Sequence, residues 1–86
     1  METKGINILK ETLKTNKGRD AIISTSHKLY GTQKLKCKLN PLVDEYRIGF
    51  YINQQEIYID IDGLVDYGVK DGIHFADDLM EIKIKL

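Results

Sequence analysis

Apolar and polar side chains alternate one by one through most of this chain, and a period of two fits a β-strand, not a helix. In Lys34-Leu35-Lys36-Cys37-Lys38-Leu39, three ammonium groups fall on one side and three apolar groups on the other. Tyr46, Ile48, Phe50 and Ile52 alternate with Arg47, Gly49, Tyr51 and Asn53. Ile57, Ile59 and Ile61 alternate with Tyr58, Asp60 and Asp62, and Met80, Ile82, Ile84 and Leu86 with Glu81, Lys83 and Lys85. Such patterning arises when an antiparallel sheet has one dry and one wet face. Leu35, Ile48, Ile59 and Ile82 are therefore expected to share one interior.

Ahead of the strands lies a different period. Ile6, Leu9 and Leu13 recur at helical spacing with Ile8 beside them, which predicts a helix from Asn7 to Lys17. Asn7 serves as its cap, Lys14 and Lys17 suit its negative end, and Gly18 stops it. About three turns are marginal alone, so this helix needs a sheet to dock on. Ala21–Tyr30 reads as a strand ending at Gly31-Thr32, Asn40-Pro41 ends the lysine strand, and residues 53–56 form a hairpin loop. Val69-Lys70-Asp71-Gly72-Ile73 reads as a further hairpin turning at Asp-Gly.

The expected fold is α+β: a single domain over residues 1–86, with a short N-terminal helix followed by a five- or six-stranded antiparallel meander. Either the helix covers one face of the sheet, or the sheet curls into a small barrel. A helix followed by short bent strands is also the order in Sm-like and SH3-like barrels, a likeness of architecture alone.

Composition narrows the class. The chain is 42% hydrophobic and 30% charged over 86 residues, which suits a globular domain and not a disordered one. It contains no apolar run near the ~20 residues that span a bilayer. Met1-Glu2-Thr3-Lys4 begins no secretory leader, and the lone Cys37 forms no internal disulfide. Both features predict a reducing, cytoplasmic setting. The richness in Ile, Lys, Asn and Asp suits an AT-rich bacterial or phage genome.

The zero net charge hides a division. Residues 1–43 carry +6 and residues 44–86 carry −6. A chain so divided either pairs its halves internally or shows two oppositely charged surfaces. In a meander, the Lys34, Lys36, Lys38 row faces Arg47 and Tyr51 on the next strand and then Asp60 and Asp62, which predicts that the lysines look across at the protein's own carboxylates.

Candidate sites follow from that geometry. Tyr58, Asp60, Asp62, Asp66 and Tyr67 form an acidic, aromatic stretch suited to a basic protein partner, with the aromatics as anchors; its bland reading is loop chemistry. Lys34, Lys36, Lys38, Arg47 and Tyr51 form the alternative, a basic strand face with a stacking ring for nucleic acid. Asp60-Ile61-Asp62-Gly63 lacks the third alternating oxygen of a calcium loop, and an Asp-Gly turn accounts for it. Glu81-Ile82-Lys83 matches a three-residue piece of a metal-nuclease signature that any alternating strand produces. His27 and His74 stand at no triad or ligand spacing, Cys37 points inward, and the glycines form no phosphate loop.

The expectation is thus a non-enzymatic binding module acting through protein–protein contact, of inhibitor, immunity, phage accessory or adaptor type. It is expected to use no cofactor or metal. Opposite charges on one molecule also favour a head-to-tail homo-oligomer.

Overall fold

The computed structural model describes residues 3–86. Helix α1 (Thr3–Thr15) leads into β1 (Asp20–His27), β2 (Gly31–Lys38), β3 (Pro41–Val43), β4 (Arg47–Ile52) and β5 (Gln55–Asp60). A 3-10 turn (Ile61–Gly63) follows, then β6 (Asp66–Gly68), β7 (Ile73–Ala76) and β8 (Met80–Lys85). The α+β class and the antiparallel strands are as the alternation predicts.

The strands divide more finely than the pattern suggests. Among the described residues there are eight, in a five-stranded sheet ordered β2-β1-β8-β7-β6 and a three-stranded sheet ordered β3-β4-β5. Among the described residues the two sheets do not close into one barrel ladder. The chain meanders locally but leaves the first sheet after β2 and returns at β6, and β8 then inserts beside β1. The last strand is therefore interior, paired on both sides, and not an edge.

Helix α1 starts four residues before the expected Asn7, which sits exposed within it. Its face is as expected: Ile6, Leu9 and Leu13 are buried, whereas Ile8 is 49% exposed. These side chains join Ala21, Ile23, Leu39, Ile48, Phe50, Ile59, Ile73, Phe75, Ile82 and Ile84 in one core. Ile48, Ile59 and Ile82 thus share an interior. Leu35 lies on the same inner face, paired with Ile23, but β2 is the sheet's outer strand and Leu35 stays 38% exposed. Tyr46 precedes β4, so strand parity does not hold it inward, and it is 68% exposed.

Two backbone sites set the geometry of β4 and β5. An ideal Cβ on Gly49 would overlap the Ile57 carbonyl oxygen and lie 2.6 Å from Tyr58 Cα, so only glycine lets the two backbones come this close. The connecting turn is Asn53-Gln54, with φ of 51° and 70°. Two residues of positive φ make a type I′ turn, whose twist matches that of the flanking strands. Gln54 is held in a left-handed conformation that a side chain disfavours by about 1–2 kcal/mol. Gln54→Gly is expected to raise stability by about 1 kcal/mol, moving the melting temperature up by roughly 4–8 °C. Gly49→Ala is expected to cost about 3 kcal/mol in a denaturant titration, because the new methyl meets main chain that cannot move aside alone.

Candidate functional site

Because β8 lies beside β1, two sequence-distant lysine rows reach one surface. The solvent face of the five-stranded sheet carries the row Lys34, Ser24, Lys83, His74 and the row Lys36, Ile22, Lys85. Two residues along a strand span about 6.8 Å, and two strand spacings about 9.6 Å. Lys34, Lys36, Lys83 and Lys85 therefore root at the corners of a rectangle of about 7 by 10 Å, with Ser24 and half-buried Ile22 between them. Residues of this face line a depression of about 370 Å³, with Asp71 and His74 at one side.

The ion pairs decide what these lysines meet. Lys83 lies 3.4 Å from Glu81 and Lys38 3.2 Å from Asp20, both in the open. His74 Nε2 stands 3.5 Å from Asp66, and Lys14 3.9 Å from Glu11. Arg47 pairs with Asp44 and Glu56. Every one of these pairs joins two residues of the same half of the chain, so the +6 and −6 halves do not neutralise each other by contact among the described residues. Lys34, Lys36 and Lys85 take part in none of them. The expectation that the lysine row looks across at Asp60 and Asp62 is overturned, because β2 pairs with β1 and not with β4; of that row, Lys38 alone meets a carboxylate among the described residues, that of its cross-strand partner Asp20.

The same topology separates the two expected residue sets. Of the basic set, Lys34, Lys36 and Lys38 stand on the five-stranded sheet, whereas Arg47 and Tyr51 are on β4 of the other sheet. Of the acidic set, Tyr58 and Asp60 are on β5, Asp62 is in the 3-10 turn, and Asp66 and Tyr67 are on β6. Tyr67 pairs with core Phe75 and packs against the core, and its hydroxyl fills the space where a Cβ on Gly5 would lie, 2.6 Å away. It is turned from the surface that Tyr58 and Asp60 share.

What the structure assembles instead, on the outer face of β4 and β5, is two residues of each set of five. Arg47 is cross-strand partner to Asp60, and Tyr51 to Glu56. The Arg47 guanidinium lies 5.1 Å from the centre of the Tyr58 ring, donates from Nε to Asp44 Oδ2 at 2.8 Å, and donates from Nη1 to Glu56 Oε2 at 2.6 Å. Asp44 also accepts from the backbone N–H groups of Tyr46 and Arg47 at 2.9 and 2.7 Å. The Tyr46 N–H, followed by the Arg47 side chain, holds the Asp44 carboxyl below its ordinary value, and Asp44 raises Arg47. Arg47 is thus satisfied by the loop before it and by the neighbouring strand β5.

The remaining candidates resolve into structure. His27 Nδ1 accepts from the backbone N–H of Leu29 at 3.0 Å and of Tyr30 at 3.4 Å, which places its lone pair in the β1–β2 turn. Asp77 Oδ1 accepts from the N–H groups of Leu79 and Met80 at 2.8 and 2.7 Å, fixing the β7–β8 turn just before Glu81-Ile82-Lys83. Cys37 is half-buried against the core. Among the described residues, no three His, Cys, Asp or Glu side chains converge as a metal site, and no helix is long and apolar enough to cross a membrane.

Lys83, Lys85, Ile22 and Ser24 escaped the sequence reading as site residues, although Lys83 and Lys85 alternate just as Lys34 and Lys36 do. The missing information was the strand partner. No family model, curated protein or solved structure matches the chain.

Because Asp44 ionises more readily folded than unfolded, its stabilising effect is complete above the unfolded value and is lost as pH falls through the lower folded one. Asp44→Asn is expected to lower the melting temperature at pH 7, and the deficit should begin to shrink only near about pH 4 and fade as the pH drops further, when wild type and variant are melted across pH.

Proposed function

We propose that this chain is a non-enzymatic binding module that docks on an acidic surface of another protein through the solvent face of β2, β1 and β8. The observation that carries this reading is the placement of Lys34, Lys36, Lys83 and Lys85 around Ile22 and Ser24, with three of the four lysines outside every described ion pair. Four ammonium groups on one sheet face, three of them lining the depression, attract and orient a carboxylate-bearing surface. Half-buried Ile22 supplies apolar contact at the centre, where interface energy concentrates.

A protein partner fits this face better than nucleic acid does. Recognition of single strands calls for aromatic rings interleaved with the cations. Here Tyr51 and Tyr58 belong to the other sheet, and His74 is the only ring on the lysine rows. Inhibitor, immunity, phage accessory and adaptor roles are all forms of this activity.

The test compares two defined probes, poly-L-glutamate and a single-stranded oligothymidylate, titrated against the full chain across salt. Binding of the polypeptide that weakens with salt, and at least about tenfold on Lys83→Glu with Lys85→Glu, is the expected result. Tighter binding of the oligonucleotide, with a steep inverse salt slope, would instead assign the face to phosphates.

A further inference from the structure

We infer that one protein partner is a second copy of this chain, whose β5 adds as an antiparallel strand to the open edge of β2. This rests on the reading of the chain as a protein-binding module and names a partner for it. β2 is the outermost strand of the five-stranded sheet and β5 that of the three-stranded sheet. Among the described residues, no main-chain hydrogen bond from beyond their own ladders reaches residues 31–38 or 55–60. The other outer strands are poor templates: β3 and β6 have three residues each, and β3 begins with Pro41.

The ladders determine which groups face those edges. The Leu39 N–H donates to the Arg19 carbonyl and the Leu39 carbonyl accepts from the Gly18 N–H, both at 2.8 Å, so Leu39 turns its main chain towards the β1 side. Counting back by two, Cys37, Leu35 and Gln33 do the same, and Lys38, Lys36 and Lys34 present N–H and C=O to the open edge. The hairpin between β4 and β5 closes with Ile52 opposite Gln55 across a two-residue turn, which makes that pair the hydrogen-bonded one. Ile57 and Ile59 therefore bond β4, and Glu56, Tyr58 and Asp60 face outward. In both triplets the side chains stand in solvent.

The two edges are complementary. Strands that share a solvent face and turn these triplets towards each other must run antiparallel, each lysine opposite a member of the β5 triplet. One register sets Lys34 against Asp60 of the second copy, Lys36 against Tyr58 and Lys38 against Glu56. It also sets Leu35 against Ile59 and Cys37 against Ile57 on the inner side, covering the Leu35 side chain that is 38% exposed in the single chain. Lys34, Lys36 and Asp60 enter unpaired with charge among the described residues, whereas Lys38 and Glu56 already have Asp20 and Arg47. Like edges repel: β2 on β2 sets lysine against lysine, and β5 on β5 sets carboxylate near carboxylate. The contact is heterologous, so each copy keeps one free edge of each kind and assembly proceeds head to tail.

Sedimentation of the full chain at low ionic strength tests this with Lys34→Asp and Asp60→Lys. Both positions are exposed, and unchanged melting temperatures would show that both variants fold. Wild type is expected to gain mass with concentration, each variant alone to need at least about tenfold more protein for the same mass, and an equimolar mixture of the two to recover wild-type association within about threefold. A wild type that stays monomeric at about 1 mM, variants that associate unimpaired, or a mixture that fails to recover would overturn the inference. Asp60→Lys leaves the lysine rectangle intact, so its poly-L-glutamate binding distinguishes failure of self-association from failure of the docking face.

Discussion

The antiparallel ladder between β1 and β8 joins positions far apart in the chain, from Ile22 opposite Lys85 to His27 opposite Met80. Because side chains alternate, its register fixes two layers at once. Inward, it stacks Ile23 on Ile84 and Thr25 on Ile82, to which β7 adds Ile73 and Phe75. Outward, it sets Ser24 beside Lys83 and Ile22 beside Lys85. A slip by one residue would drive Lys83 and Lys85 into the core and expose Ile82 and Ile84, a cost no local gain could offset. The lysine face is thus held in place by the burial of the isoleucines behind it.

That ladder also explains how the charge is laid out. With β8 occupying one side of β1, only β2 takes the other, and the lysines of β2 are left at the margin of the molecule. The acidic strand β5 becomes the margin of the second sheet. No described ion pair joins the two halves, so this division adds no contact pair to the stability of a single copy. Exposed ion pairs such as Lys38 with Asp20 add little as well. What the division leaves available is complementarity between molecules.

Much of this was legible from local pattern, because local pattern reflects one-sided burial. Ile6, Leu9 and Leu13 announced a docked helix face, and period-two runs announced the strands and which residues face inward. Asp71-Gly72 marked a turn, with Gly72 at φ 105°. What was not legible is which strand lies next to which. Arg47 and Tyr51 look interchangeable with any outward pair until β4 is assigned to a separate sheet. Tyr67 looks like part of an acidic surface until its pairing with Phe75 turns it inward. Pairing between distant strands is decided by the summed packing of the whole core, which no short window contains. For the same reason, Lys83 and Lys85 joined the candidate site only once the fold was in hand.

The central claim, that β1 is flanked by β8 and β2 is left with a bare edge, is tested most directly by amide hydrogen exchange of the dilute chain, followed residue by residue in NMR spectra. The account predicts alternating protection along β2: slow exchange at Gln33, Leu35 and Cys37, fast exchange at Lys34, Lys36 and Lys38, and slow exchange throughout β1 and β8. Lysine amides of β2 protected as strongly as their neighbours, or fast exchange along β8, would contradict it.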